Sequence, residues 1–446
     1  MIGLVKGKKF NIAFLLIFAI FQFSVKLEAF PFFTQIYSYI IPAVYLAFRY
    51  KWLKDKLLGF FKTIPMISAI IFSVLFGLSI IWPIFFKTYD FTYITEYWSR
   101  FFIVLLKNIF LYCVYDCEVS KGKGTIEDYF TYFFGAVALY VSFTALTLIF
   151  PSFRNIVMSV VFRSEIDIEN LSRPEYYTRF GWTGWSGYDE SMRCTIGVML
   201  SCILLLFTEK KSNLIKYLVL SGIMSIGTLF YGRTGMVVCV LLYGITGLIG
   251  IFKKRWDLVI GLICLVATIA AGIAILTLTL PGLKHWYNWV FSAFINYAEE
   301  GKFYDDIGSI ENLTENMYWV PEEKGTLWLG DGRYIEPGGT YYKNTDAGYM
   351  RHMLFYGIIN YVLEIIACYI LVHSFSLKLA GKLNAKKYDE YLIILLIVAA
   401  ITIFEFKGEA FNKFICIIAP FLLISESNVS NNAFSRLFKK RAKDER

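Results

Sequence analysis

Residues 213–280 read NLIKYLVLSGIMSIGTLFYGRTGMVVCVLLYGITGLIGIFKKRWDLVIGLICLVATIAAGIAILTLTL. Three apolar runs, near 213–230, 234–252 and 256–280, are divided by the turn Gly232-Arg233-Thr234-Gly235 and by Lys253-Lys254-Arg255. Each run has roughly the 18–20 residues with which an α-helix crosses a bilayer core, closing its backbone hydrogen bonds within itself. One turn carries a single arginine and the other three basic residues. Cytoplasmic loops collect lysine and arginine, so this asymmetry puts 253–255 in the cytoplasm and 232–235 outside.

The same alternation extends in both directions. Further spans are expected near 10–27, 32–50, 63–86, 100–117, 130–150, 192–208, 347–376, 389–405 and 410–426, about 12 in all. Loops assigned to the cytoplasm hold Lys6, Lys8 and Lys9, the run from Arg49 to Lys62, Lys121 and Lys123, Lys210 to Lys216, Lys378 to Lys387 and the tail from Arg436. That is roughly 26 basic residues against roughly 6 in the short loops opposite, which places both termini in the cytoplasm. The expected fold is therefore an all-α, polytopic integral membrane protein over residues 1–446, with no soluble domain at either end.

Composition agrees. The 446 residues are 57% hydrophobic and 19% aromatic, with a mean hydropathy of +0.55, more than a soluble core of that size needs. The formal charge of +9 sits mostly at helix ends, so it implies contact with membrane lipid rather than nucleic acid. The basic tail residues Lys439, Lys440, Arg441 and Lys443 suit an anionic leaflet. All eight cysteines fall in or beside apolar segments, and no disulfide is expected. Cys113 and Cys117 have helical i,i+4 spacing but lack histidine partners, so packing explains them better than a metal does.

Two connections are long: 151–191, an outer loop, and 281–346, a large outer loop. Their Trp182, Trp185, Tyr304, Tyr318, Trp319, Trp328, Tyr334, Tyr341 and Tyr342 make them too aromatic for disorder, and they are expected to fold over the membrane surface. Arg233 at the lip of the bilayer is costly unless a partner repays it, although a guanidinium can also snorkel to lipid phosphates. Arg179 stands in Tyr177-Thr178-Arg179-Phe180-Gly181-Trp182, flanked by Arg173 and Arg193. Several arginines on one face suit a diphosphate, because a planar guanidinium bonds two phosphate oxygens at once without a metal.

Where the longest loop re-enters the membrane the chain reads Thr345-Asp346-Ala347-Gly348-Tyr349-Met350-Arg351-His352, with Gly357 beyond. At helical pitch Gly348, Arg351 and His352 share a face, and Asp346 is either an N-cap or a functional carboxylate. The last outer turn, Glu405-Phe406-Lys407-Gly408-Glu409, adds further charge. Lys107 and Glu364 lie inside spans. Glu165, Asp167 and Glu169 alternate and would share a face if extended, as a solvated acidic stretch or a metal site. No nucleotide loop, dinucleotide motif, zinc spacing or nucleophile elbow is present, so no cofactor is expected.

In order and sidedness these elements resemble the Wzy-type O-antigen and capsular polysaccharide polymerases, within the superfamily that includes the O-antigen ligases. The resemblance rests on the many-span topology, Arg179-Phe180-Gly181, Gly232-Arg233-Thr234-Gly235, the loop ending in Leu329-Gly330-Asp331-Gly332, and Asp346-Ala347-Gly348-Tyr349 with Gly357. Ligases of the superfamily place His-Asn nine residues before that glycine. Here the pair is Asp346-Ala347, which favours the polymerase, and His352 does not inherit the ligase role. The resemblance implies a GT-C-like glycosyltransferase architecture and a metal-independent transfer of glycan from one undecaprenyl-diphosphate-linked oligosaccharide to the non-reducing end of another. It further implies the outer face of a bacterial inner membrane as the place of reaction, and a chain-length regulator as partner. Arg179 and Arg233 would hold the diphosphate, and the base would be Asp346, Glu409 or His352, with Asp346 first because it stands beside the re-entry helix. Arg333, Arg351, His352, Lys407, Glu409 and Trp182 would contact substrate. The competing readings are an O-antigen ligase, a lipid-linked oligosaccharide flippase or other transporter, and a scaffold without activity.

Overall fold

The helices begin where local chemistry says they should. Asn11 accepts from the Phe14 amide to open Ile12–Gln22 (α1), and Thr125 forms a reciprocal box with Asp128 at the start of Ile126–Ile149. Each device satisfies amide groups that have no partner within the helix. The computed structural model describes residues 10–30, 32–60, 65–280, 282–301, 313, 316–383, 385–386 and 388–423. Tyr304, the basic residues Lys6, Lys8, Lys9, Lys62, Lys387 and Arg436, and the tail lysines and Arg441 lie outside these residues.

After α1 come Ile36–Phe48 (α2), Tyr50–Phe60 (α3), Pro65–Phe85 (α4), Ser99–Val114 (α5, with a π-helical turn at each end) and Ile126–Ile149 (α6). Pro151–Val160 (α7) and Glu165–Ser172 (α8) precede a two-residue hairpin, Phe180–Gly181 (β1) against Gly184–Trp185 (β2). Tyr188–Phe207 (α9), Lys211–Tyr231 (α10), Arg233–Phe252 (α11) and Trp256–Thr279 (α12) follow without a break. Leu283–Glu300 (α13), Lys324–Leu329 (α14), Gly348–Lys382 (α15), Asp389–Lys407 (α16) and Phe411–Ile418 (α17) complete the described chain.

Among the described residues seven helices are long and apolar enough to cross a membrane: α4, α6, α9, α10, α11, α12 and α15. The other five expected segments are largely helical over their described residues, with 424–426 lying outside them, and there they are too short or too charged to qualify by length and composition. α1 has 11 residues, and α16 carries Asp389, Glu390, Glu405 and Lys407 within its 19. The molecule is thus an all-α membrane protein with a single small hairpin among the described residues.

α9 is the axis of the bundle. Of its apolar window 83% is buried, against 17% for α12 and 22% for α4, and it packs on α6, α10, α11 and α16. α12 and α4 therefore present wide apolar faces outward, as lipid requires.

Two local expectations are corrected. Glu165, Asp167 and Glu169 do not form an extended edge, because Ser164 and Asp167 close a capping box and α8 begins there. Asp346 does not cap α15. That position belongs to Ala347, which makes no side-chain cap.

Candidate functional site

Four turns meet at one end of the bundle. The Ser191 hydroxyl, in the first turn of α9, donates to the Gly232 carbonyl between α10 and α11. Tyr188, the first residue of the same helix, donates to the carbonyls of Phe404 and Gly408 at the end of α16. The start of α15 joins them through Tyr349, whose hydroxyl reaches the Thr402 carbonyl, and through an ion pair between Lys407 and Asp346 at 2.9 Å. The hairpin lies over the N-terminus of α9, with the Ser186 amide donating to the Arg179 carbonyl.

This assembly brings Arg179 and Arg233 to one aromatic ring. Their guanidinium carbons lie 4.8 and 4.7 Å from the centre of the Trp289 indole on α13. Arg179 also stacks on Tyr176 at 4.3 Å and faces Trp185 at 5.6 Å. A ring face attracts a cation through its quadrupole and leaves the N–H edge of the guanidinium open to an oxyanion. Among the described residues no carboxylate lies within ion-pair distance of Arg179, and its Nε is buried without a hydrogen-bond partner. Burial pushes this guanidinium down to about 10, and the like charge of Arg233 adds to the fall, so it remains a cation at neutral pH. Arg233 also donates to the Trp289 carbonyl at 3.4 Å.

A second cluster surrounds the head of α15. Arg351 lies against the rings of Tyr334 and Tyr341 at 3.9 and 4.0 Å and pairs with Glu409 at 3.3 Å. Tyr334 donates to that same carboxylate. Burial raises Glu409, but Arg351, His352 and the Tyr334 hydroxyl outweigh it and hold the carboxyl below its ordinary value. His352 is fully enclosed. Its Nδ1 shares a hydrogen bond with the Tyr93 hydroxyl at 2.7 Å and lies 3.6 Å from Glu364, while its Nε2 lies 3.4 Å from Glu405. Tyr97 and Tyr356 both donate to Glu364, and the Glu405 Oε2 accepts from the Ala410 and Phe411 amides at 2.7 and 2.9 Å.

α15 is broken just below this cluster. Gly357 has φ 83 and ψ 166, a backbone state that only glycine adopts at little cost. The amides of Asp331 and Gly332 bond the carbonyls of Leu354 and Phe355 at 2.8 and 3.0 Å, replacing the helical bonds lost at the break. A Cβ at Gly357 would collide with the Trp328 carbonyl, and one at Gly330 with the backbone of Phe355.

The remaining sequence candidates are more scattered. Arg333 reaches Glu336 at 3.8 Å and Tyr342 at 5.9 Å. Trp182 faces the bundle interior, with its indole donating to the Phe23 carbonyl and its ring against Tyr140 and Phe143. Arg173 is an exposed partner of Glu169. Of the two charged residues inside spans, Lys107 reaches the Ser24 hydroxyl and Glu364 accepts from Tyr97 and Tyr356. Sequence reasoning singled out neither Trp289 and Tyr176, which hold the two arginines, nor Arg154, stacked on Tyr177 at 4.3 Å. Among the described residues no group of three histidine, cysteine, aspartate or glutamate side chains is placed to hold a metal, and all eight cysteines are free thiols. Compared with known proteins, the chain matches no family model, no curated protein and no solved structure.

Proposed function

We propose that the chain is a polysaccharide polymerase of the bacterial inner membrane, joining undecaprenyl-diphosphate-linked repeat units at the outer face. The observation that carries the reading is the convergence of Arg179 and Arg233 on Trp289, which pairs two cations from separate loops at the mouth of the bundle. In this reading about 12 spans place both termini in the cytoplasm, and residues 151–191 and 281–346 on the other side.

The chemistry follows from the location. No nucleotide sugar exists outside the cytoplasm, so the driving force is stored in the bond between sugar and lipid diphosphate. The acceptor hydroxyl oxygen attacks the anomeric carbon of the donor glycan, and the bond from that carbon to the diphosphate oxygen breaks. The electron pair leaves with the diphosphate, and the hydroxyl proton passes to a base. Arg179 and Arg233 neutralise the charge that grows on the leaving group, where fixed cations in a dry site act most strongly. Asp346 is paired with Lys407 but partly open to solvent, and it is the assigned base. Glu409 is paired with Arg351 and buried, and His352 is enclosed between two glutamates.

The test is reconstitution of the purified chain with lipid-linked repeat units. Elongated glycan in the wild type, and none in Arg233→Ala at equal protein level, supports the polymerase. Transfer of finished polymer to a different acceptor would make it a ligase. Translocation without elongation would make it a transporter. One feature favours that last reading: a helix broken at Gly357 beside buried His352, Glu364 and Glu405 is a common way to build an intramembrane transport site.

A further inference from the structure

Lys107 lies well inside α5, eight residues beyond its first residue, with a side chain only 6% exposed. Its ammonium contacts the Ser24 hydroxyl at 3.2 Å, and among the described residues no carboxylate lies within ion-pair distance. The carboxylates within electrostatic reach, Asp189 and Glu190, are already taken. Asp189 pairs with Lys413, and Glu190 pairs with Arg193 at 3.2 Å while capping the Gly187 amide. Both carboxylates are thus engaged directly by other cations, and Lys107 pairs with neither. A buried ammonium with a neutral partner is costly, and in a membrane-embedded bundle such a group marks a ligand or ion path.

The cluster meets solvent at one end. α9 is the most enclosed of the membrane-spanning helices, yet the side chain of Asp189 in its first turn is 39% exposed, at the end where Arg179 and Arg233 sit. Arg193 lies one turn further along the same helix, 5.9 Å from the ring of Phe23. Beside Lys107, Gln22 donates to Asn108 at 2.7 Å, so the surroundings of the ammonium are polar.

We propose that Lys107 and Arg193 form a second, deeper oxyanion site that binds a carboxylate or phosphate group entering from the end where Asp189 meets solvent. The proposal rests on the polymerase reading only for the choice of probes, which are the carboxylate of an acidic sugar and the phosphate of a second lipid carrier.

The experiment uses the full-length purified chain and its thermal unfolding midpoint. Sodium glucuronate and farnesyl phosphate are titrated, with glucose and farnesol as their uncharged counterparts. At least one charged probe is expected to stabilise the wild type where its neutral counterpart does not, and to do so equally in an Arg179→Gln/Arg233→Gln chain. In Lys107→Met the half-saturating concentration should rise at least about tenfold, while the unliganded midpoint stays the same or increases because a buried charge is gone. A response to farnesyl phosphate alone assigns a lipid phosphate, a response to glucuronate alone assigns an acidic sugar, and a response to both supports a general oxyanion site. Arg193→Gln gives the same readout should the Lys107 variant not accumulate. No stabilisation by either probe, an unchanged response in Lys107→Met, or loss of the response in the double-arginine chain would each overturn the deeper site. None of these outcomes depends on whether glycan is elongated.

Discussion

Two arginines on one indole make a strong demand of that indole. Trp289 fixes the separation of Arg179 and Arg233, so shrinking it should loosen both at once. Arg179→Ala and Arg233→Ala are each expected to cut glycan transfer by about 10²–10³, as for loss of a fixed donor to a developing oxyanion, with protein level unchanged on an immunoblot. Lysine at either position should rescue little, because an ammonium offers neither the planar fork nor the stacking face. Trp289→Leu should weaken inorganic pyrophosphate binding by more than either lysine variant does. Calorimetry showing Trp289→Leu indistinguishable from wild type would separate the ring from the site. The arginines were legible in the sequence because a permanent charge beside an apolar run is expensive wherever it occurs. Trp289 was not legible, since one tryptophan in an aromatic-rich segment carries no local signal and its contacts are made across 110 and 56 residues, to Arg179 and Arg233. Asp346 reads from the sequence as cap or functional carboxylate, and the fold removes only the cap, by placing Ala347 at that position.

At the scale of elements, the join between α15 and the preceding loop is the most specified piece of backbone. Gly357→Ala puts a side chain into the Trp328 carbonyl at a positive φ, combining strain with collision, and is expected to cost about 2–4 kcal/mol. A lowered midpoint of thermal unfolding together with faster proteolysis near 324–346 would show it. The opposite edge of the loop is held by Asp90, whose Oδ2 accepts from the Tyr334 and Ile335 amides at 2.6 and 2.9 Å. Burial raises this carboxyl, but the bonds from Thr92, Ile335 and Tyr334 bring it below its usual value. A depressed carboxyl contributes stability above its unfolded value of about 3.9 and loses it as the pH falls through the lower folded value. Protease cleavage within 316–346 should therefore accelerate below about pH 4 in the wild type and lose that pH dependence in Asp90→Asn. Equal pH profiles would remove Asp90 as the anchor. The helices themselves were readable from apolar run length. The capping box at Ser164 is masked in the sequence by the alternation of Glu165, Asp167 and Glu169, which would share a face only in an extended chain.

For the whole molecule, sidedness is the testable quantity. The end bearing Arg179 and Arg233 and the end bearing Lys253, Arg255 and Lys386 must face different compartments if the charge asymmetry orients the chain. The latter end encloses a cavity of about 720 Å³ lined by Lys210, Lys253, Arg255, Lys382 and Lys386. A cysteine placed at Ser172 should react with an impermeant maleimide in intact spheroplasts, and one at Lys382 only after permeabilisation. Most native thiols are buried, and the one exposed, Cys264, lies within the apolar run of α12, so background labelling should be low. The reverse pattern would invert the topology and remove the site from the outer face. Charge at the loop ends predicts this orientation without any coordinates. How the bundle nests around α9 was beyond reach, because burial on all sides and burial on one side leave similar apolar runs.

The break in α15 also limits how substrate can arrive. Two carbonyls of that helix depend on amides from the loop for their partners, so lifting residues 329–332 would strand polar backbone among hydrocarbon, at about 1–3 kcal/mol per group. The loop is riveted at this point and cannot swing as a flap about it. In the proposed polymerase, long glycans would therefore have to enter and leave elsewhere than between this loop and α15.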